Sequence, residues 1–498
     1  MELQFKSDTC HFLTAAARDI RSAELTQEVR LTDGMPDIGR VLASWGQTVL
    51  RSKEWQSDQI TVSGGIMAWI LYAPEDGTQP RCIDTWIPFQ LKWDLSGDTR
   101  EGSIRVYPLL RFVDGRGVST RKIMIRASVA AMGEALSPVS AEVYAPTELP
   151  GDIEILQNTY PIRLPKEAGE KTFVIDEDLS MSAGTAEMER LLAYTIVPQL
   201  YEKRVAGDKL ILRGAGNLHV VYRCPEGRIH SVDLEVPVSQ YAQLEEIYGT
   251  DAMADVQTGV TSLELTQSDG NQLRLKCGMV AQYLISDRYL AELTEDAYSP
   301  CRDVQMRMEE LELPSMLEER TETVSARQQL AGITGEIADV VCLPDFPRQS
   351  RSGDVVMLEL PGQFQVLYYA PDGSLQGSTV RWEDTKQIPA DPAVCTTFLV
   401  QTQNVQAVAG TEGMNLSGHY ALQMSASVKQ EMPMISELEL GPVQEKDPSR
   451  PSLVLCRPNG ESLWDMAKRC GSTVADIRDA NVRAEELQEN RMLLIPVK

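Results

Sequence analysis

The sequence predicts a mainly β chain: three tandem β-rich units, sandwich-like or barrel-like, followed by a small βααβ module. Three observations carry this. A block of strand, small-residue bend, strand and Pro–acid–Gly turn occurs three times. Segments alternating apolar and polar residues close each copy, the period of a half-buried strand. The final stretch, Leu453 to Val497, instead places two helical repeats between two apolar strands.

The repeated block runs from Asp58 to Gly77, Asp208 to Gly227 and Asp354 to Gly373, and in each an Asp stands 14 residues before a Tyr (Tyr72, Tyr222, Tyr368). The bends are Gly64-Gly65, Gly214-Ala215-Gly216 and Pro361-Gly362. Small residues there predict a bulge where the strand twists. The turns are Pro74-Glu75-Asp76-Gly77, Pro225-Glu226-Gly227 and Pro371-Asp372-Gly373, whose composition suits a reversal. The three tyrosines read as core or sheet-edge packing rather than a binding stripe, because strand-end aromatics pack on neighbouring strands. Trp69 and Trp86 read the same way.

The flanks repeat too. Pro36 to Leu42, Ala186 to Leu192 and Gly332 to Ala338 sit at matching offsets and read as a short helical turn leading into a strand. Trp86-Ile87-Pro88-Phe89 answers Glu235-Val236-Pro237-Val238, with Trp382 near the equivalent place. Helix outside the C-terminal module is expected to be small, with Ala186 to Leu192 and Asp287 to Thr294 as its candidates. The offsets set the units at residues 1–156, 157–302 and 303–440. A polar, Pro-containing linker follows at 441–451, and the module occupies 452–498.

Within the module, Ser462 with Asp465 and Thr473 with Asp476 read as capping boxes. Leu463, Met466 and Ala467 repeat at helical spacing, as do Val474 and Ile477. Gly471 supplies a left-handed stop between the helices, and Asn490 suits a turn before the last strand.

Net charge is −25 over 498 residues, spread along the chain, and 43% of residues are hydrophobic. That composition supports real cores. It argues against nucleic acid, which needs a concentrated basic face, and against membrane insertion, since the longest apolar run, Ile66 to Ala73, is far too short. The N-terminus shows no secretory pattern. Nine scattered cysteines, an odd number with no metal spacing, read as reduced thiols of a cytoplasmic protein.

No catalytic constellation emerges. His11, His219, His230 and His419 show no metal spacing. His219 reads as a surface or half-buried strand residue whose neighbours Leu218 and Val220 face the other way. Gly169-Glu170-Lys171-Thr172 lacks the rest of a phosphate loop and reads as a turn. The expectation is a non-enzyme with no cofactor and no metal.

The C-terminal stretch resembles a LysM domain, carried by Gly460-Glu461-Ser462-Leu463, the two capped helices, Asn481 and the strand Leu493-Leu494-Ile495-Pro496. The repeated unit resembles the SPOCS domain of spore-forming bacteria, carried by Pro36-Asp37-Ile38, Ile70-Leu71-Tyr72 and Ile87-Pro88-Phe89. Three such units before a LysM resemble SipL-type spore coat morphogenesis proteins. The resemblance implies a non-enzymatic scaffold on the mother-cell side of the forespore surface. Its implied partner is the spore coat morphogenetic ATPase, docked by the LysM; self-association of the β units and an N-acetylglucosamine polymer on the LysM are the alternatives. The implied groove comprises Asn459, Gly460, Glu461, Ser462, Leu463, Asn481, Val482, Arg483 and Ile495.

Overall fold

The computed structural model describes residues 2–56, 58–95, 101–146, 148–182, 184–317, 319–389, 394–444, 451–481 and 492–498. The chain starts with a short β1 (Glu2–Gln4), then builds two three-stranded antiparallel sheets. Strands β2 (Lys6–Arg30), β3 (Ile38–Gln56), β4 (Gln59–Pro74), β5 (Arg81–Asp94), β6 (Ser103–Ser119) and β7 (Lys122–Ala145) pair in the orders β2-β7-β6 and β3-β4-β5. Inward residues of both sheets, among them Ile66, Ile70, Phe89, Val106, Ile123 and Ile125, share one core. This is a face-to-face sandwich; among the described residues no sheet closes into a barrel.

The same plan recurs twice. Strands β8 (Glu154–Ser180), β9 (Arg190–Arg223), β10 (Ile229–Tyr248), β11 (Met253–Asp269) and β12 (Gln272–Tyr298) give the sheets β11-β12-β8 and β10-β9. Strand β9 does the work of two. It turns back at Gly207, where φ is +65°, so that the Glu189 amide donates to the Arg223 carbonyl at 2.8 Å. The last copy uses β13 (Val304–Met316), β14 (Arg320–Ala331), β15 (Glu336–Pro344), β16 (Arg348–Ser352), β17 (Val355–Tyr369), β18 (Leu375–Pro389), β19 (Val394–Ala409) and β20 (Gly413–Leu440). Here β13 and β14 both lie along β20, and β15 and β16 along β17, so two long strands are each split.

The repeated chemistry is in place. The turn glycines Gly77, Gly227 and Gly373 have φ of 73°, 83° and 82°, a region glycine enters without penalty. Tyr72, Tyr222 and Tyr368 are all buried. The bend glycines let neighbouring backbone close in: a Cβ on Gly214 would lie 2.0 Å from the Gln199 carbonyl, and one on Gly64 2.3 Å from that of Val49. In the first copy the register shifts between Leu50 and Ser52, opposite Gly64, so the extra residue is Arg51 in the facing strand. Trp69 is buried, while Trp86 lies over Gly65 with the Arg51 guanidinium 5.1 Å above its ring.

The three sandwiches interlock. The ends of β2/β7, β8/β12 and β13/β20 project beyond them as ribbons packed together through Phe12, Val143, Leu164, Leu293, Leu313 and Met434. Strand β1 pairs with β20, tying the start of the chain to its third copy. Side chains satisfy exposed strand edges between copies, where unpaired backbone would otherwise invite foreign strands. The fully buried Gln282 accepts from the Val106 amide at 2.9 Å and donates to the Val106 carbonyl at 2.7 Å. Arg105, 1% exposed, spans Glu134 at 3.1 Å and Asp255 at 2.8 Å.

The helical expectations outside the C-terminal module are overturned, Pro36–Leu42 and Gly332–Ala338 entering β3 and β15 without a helical turn. Asp287–Thr294 is part of β12, with Ala291 and Leu293 buried and Leu290 exposed, a period of two. Pairing with Gln157–Leu164 outweighs the helix propensity of Leu-Ala-Glu-Leu. Ala186–Leu192 enters β9 without a helix, because Asn271 and Gln267 hold the Met188 amide and carbonyl at 2.8 and 2.7 Å.

Candidate functional site

The C-terminal segment forms β21 (Leu453–Cys456), α1 (Leu463–Cys470), α2 (Val474–Ala480) and β22 (Leu493–Pro496), with β21 antiparallel to β22. Both helices start as their sequences dictate. The Ser462 hydroxyl oxygen accepts from the Asp465 amide at 3.1 Å, and that of Thr473 from the Asp476 amide at 3.0 Å. Each hydroxyl also donates to the same residue's carboxylate, at 2.7 Å. Gly471 ends α1 at φ +68°. Inward residues Met466, Ala467, Ile477, Leu493 and Ile495 form a small core.

That core is closed by the body. Tyr298, the last residue of β12, packs into it and donates to the Ser472 carbonyl at 3.0 Å. The Trp464 ring meets Tyr298 edge-on at 4.8 Å, and its indole N–H donates to Asp296 at 2.7 Å. Lys468 pairs with the same carboxylate at 2.6 Å. Trp464 packs against the module's own core and also joins the module to the second copy.

The nine residues of the expected groove do different things. Asn459, with φ +48°, and Gly460, with φ +85°, form an exposed turn. Glu461 pairs with Arg469 at 2.7 Å, Ser462 is a cap, and Leu463 is half-buried against the core. Asn481 is fully engaged: its amide donates to the Ile477 and Leu494 carbonyls at 2.6 and 2.7 Å and accepts from the Leu494 amide at 3.0 Å. Ile495 is fully buried and faces the helices. Val482, Arg483 and the turn residue Asn490 lie outside the described residues. Pairing places Leu453 opposite Pro496 and Leu455 opposite Leu494, on the side away from the helices. Leu453 and Leu455 are 55% and 59% exposed.

A second site escaped the sequence. Where the three copies meet, a cavity of about 820 Å³ opens, within the range of ligand pockets. Beside it lies a polar node that draws on all three copies, with Trp45, His219 and Asp233 lining the cavity. The Trp45 indole donates to Asp339 Oδ2 at 2.8 Å, and His219 Nε2 lies 2.9 Å from Asp339 Oδ1. His219 Nδ1 lies 2.7 Å from Asp233, its cross-strand neighbour. Burial by itself would lower the imidazole pKa, but the two carboxylates push it up to about 10, so both ring nitrogens donate at neutral pH. Burial would likewise raise the Asp339 carboxyl; the His219 charge and the bonds from His219 and Trp45 hold it below its usual range. His219 is half-buried, with Leu218 and Val220 facing the core. Its position opposite Asp233 was open to inspection, whereas Asp339, 120 residues away, carries no sequence signal. Among the described residues, no group of three or more His, Cys, Asp or Glu could hold a metal ion, and no helix is long and apolar enough to cross a membrane.

Residues 187–267 match the family described as SipL, SPOCS domain. The match spans the start of β9 to β11. No curated protein and no solved structure matches the chain.

Proposed function

We propose that this chain is a non-enzymatic scaffold of endospore coat assembly, working on the mother-cell side of the forespore surface. The match at residues 187–267 supports a SipL-like, sporulation-related role. On this reading the interlocked β units are the frame, and the βααβ module, a LysM-like fold, is the docking element for the coat morphogenetic ATPase.

The observation that carries the docking role is the outer face of the β21/β22 ribbon. Leu453 and Leu455 stand exposed there, and clustered apolar side chains on an ordered ribbon suit a protein partner. The groove residues favour protein over glycan. Sugar recognition needs free polar groups, yet Glu461, Ser462 and Asn481 spend theirs inside the module.

The test is localisation of a fluorescent fusion during sporulation. The full chain should form a shell around the forespore, and a chain lacking Leu453–Lys498 should not. A diffuse signal for the full chain would overturn the role. Co-sedimentation of the purified chain with peptidoglycan, competed by chitooligosaccharide, would replace it with wall binding.

A further inference from the structure

We propose that the cavity where the three copies meet is a binding site for a linear aliphatic diamine. Two carboxylates, Asp233 and Glu235, stand two positions apart on β10, so both face the same side of the strand. Across the ladder they oppose His219 and Asn217 on β9, and all four side chains line the cavity. From the first copy, β3 contributes Ser44 and Thr48 to the wall, each only 9% exposed. The wall also includes Leu110, Ile196, Val260, Val341 and Val405, aliphatic residues drawn from all three copies.

The charge on the wall selects a cation. Its charged side chains are His219, Asp233 and Glu235; among the described residues no lysine or arginine joins them. The His219 charge is already held, with Nδ1 2.7 Å from Asp233 and Nε2 2.9 Å from Asp339. One imidazolium thus meets three carboxylates, and an incoming anion finds no free positive charge. The Asp233 side chain is 78% exposed, and Glu235 makes no hydrogen bond or ion pair among the described residues. Both carboxylates therefore have acceptor capacity left for an ammonium group. The Ser44 and Thr48 hydroxyls likewise make no hydrogen bond among the described residues. A hydroxyl buried without a partner is costly, and an amine at the second end of the ligand supplies N–H groups to these two oxygens.

In the bound state one ammonium sits against Asp233 and Glu235, with the Asn217 amide oxygen as a further acceptor. The methylene chain lies along the aliphatic wall, as a pocket with apolar sides and a few polar anchors requires. The other amine reaches the β3 hydroxyls. The ligand then touches β3 of the first copy, β9 and β10 of the second, and β15 and β19 of the third. It ties the copies together, as Asp339 does from beside the cavity. No residue of the C-terminal module lines this cavity, so the site stands whatever that module docks.

The test titrates the folded full chain with a series of terminal diaminoalkanes, from propane to octane, and follows binding by calorimetry. Salt is held at about 0.15 M, where loose counterion attraction is screened. One chain length should bind best, its monoamine should bind several-fold more weakly, and the diol of the same length should not bind. Glu235→Gln should weaken the best diamine at least about tenfold without moving the thermal midpoint of the free chain. Ser44→Ala should narrow the gap between diamine and monoamine. Hydrogen exchange across Ser231–Glu235 and Val400–Val408 should slow several-fold when the diamine is bound. No binding at millimolar diamine, equal affinity in Glu235→Gln and the unsubstituted chain, or protection confined to other strands would overturn the proposal.

Discussion

Nε2 of His219 stands 2.9 Å from Oδ1 of Asp339, joining a strand of the second copy to one of the third. The other Asp339 oxygen takes the Trp45 indole from the first copy. One carboxylate, 3% exposed, thus ties all three copies beside the central cavity, which Trp45 and His219 line. A buried charge without such partners is strongly destabilising, so this node makes the arrangement of the copies specific.

The node should be sensitive to alkali. The His219 pKa is raised from 6.5 to about 10 in the folded chain. Its stabilisation is fully present below the unfolded value and is lost as pH rises through the folded one. Thermal midpoints should therefore fall as pH climbs from about 6.5 towards 10. His219→Gln should lower the midpoint at neutral pH and flatten the slope. An unchanged slope in that variant would exclude His219 as its source.

Arg105 offers a sharper contrast. Asp255→Ala leaves its guanidinium with Glu134 alone, which Arg18 also engages. The expected loss is about 3 kcal/mol, the scale for breaking a buried pair. The double variant Arg105→Met, Asp255→Leu should recover most of it, because replacing both charges removes the desolvation penalty. Urea midpoints of the three proteins measure the order.

Two glycines separate contact from conformation. Gly214→Ala drives a Cβ into the Gln199 carbonyl at 2.0 Å and should cost about 3 kcal/mol. Gly373→Ala meets no atom within 4 Å but sits at φ +82° and should cost only about 1 kcal/mol. Equal effects in denaturant unfolding would mean that the close approach in β9 is not tight.

Local chemistry was legible and distant pairing was not. Asp58, Asp208 and Asp354, each at the same offset from its tyrosine, announced the repeat, because a strand–bend–turn block carries its composition with it. Ser462, Thr473 and Gly471 announced both helices, because caps act within one turn. Asp287–Thr294 misled, because its strand state depends on Gln157–Leu164 across the sheet. The Tyr298–Trp464 contact and the Asp339 node join residues 166 and 120 positions or more apart in sequence, and no periodicity marks such pairs. Asn481 was named for a groove, yet its amide turned inward, since two carbonyls and an amide there needed partners.

Asn481→Ala should loosen the module alone. It removes three hydrogen bonds between α2, β22 and the side chain, a loss of about 2 kcal/mol. Hydrogen exchange should quicken in α1, α2 and β22, while β4 and β12 keep their protection.

Asp296→Ala should loosen the seam between module and body without unfolding the module, Tyr298 still closing its core. Trp464 and Lys468 both lose their partner, so Trp464 emission should shift to the red. Exchange inside α1 should stay within about twofold, because the helix hydrogen bonds remain.

The most direct measurement titrates a purified spore coat morphogenetic ATPase against the full chain and against Leu453→Asp, Leu455→Asp. Binding by the full chain, with loss of at least about tenfold in the variant, is the expected result. Equal affinity for the two proteins, or no binding by either, would contradict the assignment of the β21/β22 face as the docking surface.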